Sequence, residues 1–176
     1  VLRAFLEKNL KGVDVVAINE LGSVESSLHL MQFDSIHGKL PVEVKKTSKG
    51  LKYKNKEIKF YSERDPSNLP WKELKVDIVL ECSGVFASKE KASSHITAGA
   101  KKVIISAPGT NVDATIVQGV NNYILNRKHN IISNGSCTTN CLAPVAMVMD
   151  KTIGIESGFM TTIHSYTGDQ RTVDQT

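Results

Sequence analysis

A cysteine stands inside the run Ser133-Asn134-Gly135-Ser136-Cys137-Thr138-Thr139-Asn140-Cys141, and a histidine, His164, follows it 27 residues later. A thiol attacks as its thiolate. Two surroundings favour that form: a helix N-terminus, where unpaired amides and the dipole favour negative charge, and a neighbouring imidazole. The residues around Cys137 predict the first. Asn134, Gly135 and Ser136 are turn and cap residues, and the apolar run Leu142, Ala143, Val145, Ala146, Met147, Val148, Met149 is helix-like. Pro144 is expected in the first turn of that helix, and Cys137 at or just before its start. Free cysteines are commonly small buried hydrophobes, and that alternative stands beside this one. The hydroxyls of Ser136, Thr138 and Thr139 weigh against it, because hydroxyls and helix-start amides together suit an oxyanion or a phosphate.

The second surrounding requires the chain to come back. Gly158 to His164 reads as a strand ending in the histidine, and Ser165 to Arg171 leaves it as a polar loop. One helix out and one strand back uses about the observed spacing, so the imidazole can return beside the thiol. Cys137 and Cys141 are four apart, but a metal site needs two more ligands and no second pair has zinc-like spacing. A disulfide within a helix fits its required geometry badly. Cys82 follows an apolar run and is expected in the core. His37 reads as a loop histidine, with no second ligand at helical or hairpin spacing.

Other elements must position this pair. Val1 to Asn9 has apolar residues at helical spacing and is expected to close at Gly12. Val13 to Ile18 is a continuous β-branched run, as in a parallel strand buried on both faces, and it ends in Asn19-Glu20. A helix, a buried strand and a carboxylate at the strand's end match the second half of a dinucleotide-binding βαβ unit. There the carboxylate accepts from ribose hydroxyls and favours NAD over its 2′-phosphorylated relative. A loop carboxylate is the equally plain alternative for Glu20. Ser23 to Gln32 reads as a helix, 34–38 as a turn, and 41–46, 51–53 and 57–62 as an antiparallel meander. Pro66 to Leu74 is expected to form a short helical turn. Val76 to Glu81 is a second strand of the buried kind, running into Cys82-Ser83-Gly84, whose small residues let a ligand approach the backbone. Ser88 to Ala98 reads as a helix capped by Ser88 and Gly99, and Lys102 to Ser106 and Thr115 to Val120 as further strands. This alternation predicts an α/β, doubly wound, mostly parallel sheet with a ligand crevice.

The 176 residues suffice for one domain and part of another. Hydrophobic content of 40% and charged content of 23% describe a soluble globular chain. The net charge of +4 is too mild to argue for nucleic acid, and the basic run Lys45 to Lys56 reads as the solvated face of a hairpin. No apolar run is long enough to span a membrane, and no signal peptide is visible. Three cysteines argue for a reduced, cytoplasmic setting. The chain starts without Met in a helical pattern and stops in a polar run, so it reads as a fragment.

The cysteine run at 133–141, together with Thr161-Thr-Ile-His-Ser-Tyr-Thr-Gly-Asp-Gln170, closely resembles phosphorylating glyceraldehyde-3-phosphate dehydrogenases. Val16-Ala-Ile-Asn-Glu20, Asp34-Ser-Ile-His-Gly38, Glu63-Arg-Asp-Pro66, Glu81-Cys-Ser-Gly84, Gly99 to Pro108 and Gly119-Val-Asn121 support the likeness, which covers the whole chain. The resemblance implies a Rossmann-type domain over 1–136 and the start of an α+β catalytic domain over 137–176. It implies catalysis by Cys137 and His164, and substrate and phosphate binding by Ser136, Thr138 and Thr167. It implies an NAD site of Glu20, Arg64, Ser83, Gly84 and Ser106, with no metal. The partners it implies are glyceraldehyde 3-phosphate, inorganic phosphate and, in the full-length protein, three further copies. Two departures stand out. Glu20 replaces the family's usual Asp, as in the related erythrose-4-phosphate dehydrogenases, whose loop however lacks Tyr166-Thr167-Gly168. Gly135 replaces the usual Ala, a change expected to be neutral. An inactive cofactor-binding fragment is the remaining alternative.

Overall fold

A computed structural model describes residues 1–167. They fall into two compact units, 1–64 together with 165–167, and 65–164.

In the first unit, helix α1 (Leu2–Lys8) precedes strand β1 (Ala17–Asn19) and helix α2 (Val24–Gln32). Ser23 caps α2, its side chain accepting from Ser26 N–H. The small hairpin β2 (Phe33–Asp34) and β3 (Gly38–Lys39) turns on Asp34, whose Oδ1 accepts from the amides of Ile36 and His37 at 2.9 and 2.7 Å. Strands β4 (Val44–Thr47), β5 (Gly50–Tyr53) and β6 (Lys56–Tyr61) form the expected meander, and β1 adds to β6 in parallel, giving the order β1-β6-β5-β4. Leu6, Leu40, Val44, Leu51 and Ile58 make the core, with Phe5, Ile18 and Leu28 packed on it. The basic run is solvated, and several of its charges are paired: Lys46 with Glu25, Lys56 with Asp14, Lys45 with Glu43.

Two expectations fail here. Helix α1 closes at Asn9, which takes the left-handed cap conformation (φ 46°) before Gly12 is reached. Strand β1 is three residues long, and Val13 and Val16 are exposed. It is an edge strand in this sheet, paired with β6 alone, and its three residues are only half-buried.

The second unit carries a four-stranded sheet that is parallel throughout: β7 (Ile78–Glu81), β8 (Lys102–Ile105), β10 (Ile131–Ser133) and β9 (Ala114–Thr115), in that spatial order. Helix α3 (Lys89–Thr97) connects β7 to β8, with Ser88 as its cap and Gly99 just past its end. Val103, Ile105 and Ile131 are buried at the centre. Strand β7 is not buried on both faces. It alternates, with Val79 and Glu81 inside and Ile78 and Leu80 about half exposed. The alternation carries Cys82 outward, so that cysteine is exposed rather than in the core.

The strand expected over Thr115 to Val120 stops after Thr115. The Asn121 side chain takes over the ladder's groups: its Oδ1 accepts from Val117 N–H at 2.8 Å and its Nδ2 donates to the Thr115 carbonyl at 3.0 Å. The helical turn expected over 66–74 is confined to Pro66–Asn68 as a 3₁₀ turn capped by Asp65. Strand β10 was not anticipated. No strand forms over 158–164, where Phe159 and Ile163 are fully exposed. Among the described residues no neighbouring strand takes its backbone groups, and a strand needs one.

Asp113 ties β9, β10 and α3 together. Its Oδ2 accepts from the amides of Asn130 and Ile131, and its Oδ1 from Lys89 Nζ at 2.6 Å. These bonds, with that from Ile131 first among them, pull its carboxyl down to about 2. A folded-state value below the unfolded one gives stability that is present above pH ~3.9 and lost as pH falls towards 2. Acid unfolding of Asp113→Asn, followed by circular dichroism, should therefore show a flatter pH dependence between about pH 4 and 2 than the parent. A wild-type slope in that window would refute the assignment.

Candidate active site

Because β7, β8, β9 and β10 are parallel, their carboxyl ends lie on one edge of the sheet, and the residues after each strand share that edge. Ser83 and Gly84 follow β7, Ser106 follows β8, and the turn into helix α4 (Cys137–Ile153) follows β10. The turns are stitched side by side: Ser106 N–H donates to the Glu81 carbonyl at 3.0 Å and Asn134 N–H to the Ile105 carbonyl at 2.9 Å. Ser133, wholly buried, rivets the cysteine turn in place. Its Oγ donates to the Ala107 carbonyl at 2.7 Å and accepts from the amides of Gly109 and Gly135 at 3.1 and 3.0 Å. Nothing in the sequence singled out this serine, because its three partners come from two separate loops.

Gly135 has φ 70°, a left-handed conformation that costs a residue with a Cβ about 1–2 kcal/mol, so glycine is favoured there rather than neutral. Ser136 then caps α4, its Oγ accepting from Thr139 N–H at 2.9 Å. The side-chain amide of Asn140 donates to the carbonyls of Asn134 and Ser136 at 2.7 and 2.8 Å, closing the turn from the other side. Cys137 is thus the first residue of the helix, as its neighbours predicted. Pro144 is not in the first turn. It is the eighth helical residue and withholds the N–H that would pair with the Asn140 carbonyl, at a typical cost of about 3 kcal/mol.

His164 reaches the thiol without the expected strand. Cys137 Sγ and His164 Nε2 are 3.0 Å apart, a hydrogen bond between two exposed side chains. This bond is the largest influence on the thiol. Burial opposes it as the next largest influence, the Thr138 backbone amide and hydroxyl add smaller lowering contributions, and the net result holds the Cys137 thiol below its ordinary value. A low-lying, exposed thiol against an imidazole is a poised nucleophile. Cys141 lies one turn on, exposed, and all three cysteines are free. Thr167 is exposed three residues past His164. The expected loop continues through Arg171, of which 168–171 lie outside the described residues.

Glu20 and Arg64 belong to the first unit and follow its parallel pair. Glu20 N–H donates to the Tyr61 carbonyl, and the Asn19 side chain brackets Glu63 with two 2.9 Å bonds, which places Glu20 and Arg64 at the same strand ends. Glu20 Oε1 accepts from Gly22 N–H at 3.1 Å, and a carboxylate keeps further acceptor sites beyond one bond. Gly84 has φ 75°, and a Cβ built there would meet nothing within 4 Å, so the backbone after β7 faces open space.

Residues 1–89 match the family model described as glyceraldehyde 3-phosphate dehydrogenase, NAD binding domain, and residues 136–176 match the C-terminal domain of the same enzyme. The chain is 53% identical over 174 residues to a glyceraldehyde-3-phosphate dehydrogenase of Xanthobacter flavus, covering 99% of this chain and 52% of that protein. It is 54% identical over 162 residues to one of Pseudomonas aeruginosa, covering 92% and 48%. The chain therefore spans about half the length of the curated relatives it matches. A cysteine at a helix start with a histidine on its sulfur, beside a parallel sheet and within matches to both domain models, settles the kinship: this chain belongs to the glyceraldehyde-3-phosphate dehydrogenase family.

Proposed function

We propose that the protein containing this chain oxidises and phosphorylates glyceraldehyde 3-phosphate to 1,3-bisphosphoglycerate, with NAD as cofactor. The observation that carries the reading is the 3.0 Å contact between Cys137 Sγ and His164 Nε2 at the start of α4. The thiol's proton passes to His164, the thiolate attacks the aldehyde carbon as the carbonyl π bond breaks, and His164 returns that proton to the oxygen, giving a hemithioacetal. His164 takes the proton of that hydroxyl as the carbon is oxidised to a thioester. NAD, when bound, accepts the hydride that leaves the carbon. Inorganic phosphate then attacks the thioester, the carbon–sulfur bond breaks, and the thiolate returns with release of an acyl phosphate. Helix-start amides with the hydroxyls of Ser136 and Thr138, joined by Thr167, suit the anionic groups of substrate and phosphate.

The assignment of Glu20, Arg64, Ser83, Gly84 and Ser106 to the cofactor belongs to the same proposal, as does a domain boundary between 136 and 137. We also infer a cytoplasmic homotetramer working on small molecules without nucleic acid or membrane. Among the described residues no helix is long and apolar enough to cross a membrane.

Glu20 favours one competing substrate, erythrose 4-phosphate. The decisive experiment compares both aldehydes on the full-length protein, with and without inorganic phosphate. Faster NADH formation with the triose phosphate, sustained only when phosphate is present, is the expected result. A preference for the tetrose moves the assignment to the related enzyme, and no NADH with either aldehyde overturns both.

A further inference from the structure

The second unit buries a polar chain that the chemistry above does not use. Trp71, His95 and Glu81 are each at most 7% exposed. Trp71 Nε1–H donates to His95 Nδ1 at 3.1 Å, and His95 Nε2 lies 2.8 Å from Glu81 Oε2. The other oxygen of Glu81 accepts from both the amide and the hydroxyl of Ser83, and Ser83 Oγ in turn accepts from Val85 N–H at 3.1 Å. We propose that Trp71, His95 and Glu81 form a positioning relay that fixes the Ser83-Gly84 turn in the shape that receives the cofactor. The inference rests on the NAD site proposed above.

The proton positions follow from the donors. An indole N–H can only donate, so His95 Nδ1 is bare. The ring is then neutral, with its proton on Nε2, and donates to Glu81. Burial disfavours the charge on Glu81, but the bonds from His95 and Ser83 outweigh it and hold the carboxyl below its ordinary value. Glu81 is therefore an acceptor on both oxygens, which is what three converging donors require. Each donor–acceptor direction dictates the next, from the 3₁₀ region through α3 to the end of β7.

This polarity gives an unusual test. In Glu81→Gln the introduced amide has one accepting and one donating end. If its oxygen keeps the Ser83 bonds, its NH₂ faces His95 Nε2–H, donor against donor. Moving the ring proton to Nδ1 relieves that clash and creates another against Trp71 Nε1–H. No tautomer satisfies both neighbours while Trp71 is present. Trp71→Phe removes the second clash, so it should rescue Glu81→Gln.

The experiment measures the NAD dissociation constant by equilibrium titration of the full-length protein, together with KM for NAD, kcat, and the rate of Cys137 alkylation by iodoacetamide without NAD. Glu81→Gln should weaken NAD binding about tenfold, the size expected from one frustrated buried donor, and should raise KM for NAD in proportion. Alkylation should stay within about twofold. Trp71→Phe alone should cost a few-fold at most, and the double variant should recover most of the lost affinity, a strongly non-additive cycle. If Glu81→Gln does not fold, the double variant must fold and bind NAD. Wild-type affinity in Glu81→Gln, additive effects in the double variant, or a double variant that neither folds nor binds overturns the relay alone. A parent protein that binds no NAD overturns the dehydrogenase reading, and the relay with it.

Discussion

Replacing Cys137 with serine in the full-length protein should reduce turnover by at least about 10³-fold while leaving NAD binding unchanged. Serine is nearly isosteric, the cap by Ser136 acts through Thr139 rather than through the side chain of 137, and the helix start survives. What changes is the nucleophile. The surroundings of Cys137 hold a thiol below its ordinary value. The same helix-start amides and imidazole act on an alcohol that is far less acidic, so little alkoxide forms. The leaving step suffers as well, since phosphate must displace an oxygen ester instead of a thioester. Mass spectrometry of enzyme mixed with substrate and NAD, without phosphate, should find the acylated parent and no acylated variant. Turnover by the serine variant at the parent's rate would remove the covalent mechanism altogether.

Local chemistry was legible in the sequence and long-range pairing was not. Ser88 and Ser136 each cap a helix as predicted, and Ser23, read as the first residue of its helix, caps it instead, because a cap depends on residues three apart. The meander and the parallel strands β7 and β8 were also readable, from alternation and from β-branched runs. Strand β10 was not, being three residues long between two asparagines, with a polar residue, Ser133, as its most buried member. Its place between β8 and β9 is a fact of tertiary packing. Pro144 shows the reverse error: a sound local rule placed it in a first turn, and the stronger capping signal at Ser136 started the helix earlier. The arrival of His164 was read correctly for a reason that proved incomplete. Spacing alone allowed the contact; the strand meant to deliver it does not form. The buried chain of Trp71, His95 and Glu81 left no sequence signal beyond a carboxylate at the inward end of a strand, since its members meet only when α3 packs against β8 and the 3₁₀ turn.

His164→Asn is the sharper probe, because it separates two roles of one side chain. As the base, His164 takes a proton when the hemithioacetal is oxidised, and loss of a positioned base should lower kcat by about 10²–10⁴-fold. As the partner of Cys137, it is the foremost cause of the lowered thiol. The sign follows: without the imidazole the thiol returns towards its ordinary value, so alkylation by iodoacetamide, which reports thiolate, should need higher pH in the variant. The shift should be incomplete. The Thr138 amide and hydroxyl and the helix start still favour the thiolate, working against burial, which raises the thiol. Two profiles measured on the same protein therefore apportion the site. A fall in kcat with an unmoved alkylation profile would leave His164 as a base only, with the helix start alone holding the thiolate. A moved profile with normal kcat would make the imidazole an electrostatic neighbour and require another base. Both effects together are the result that a 3.0 Å bond from Nε2 to Sγ predicts.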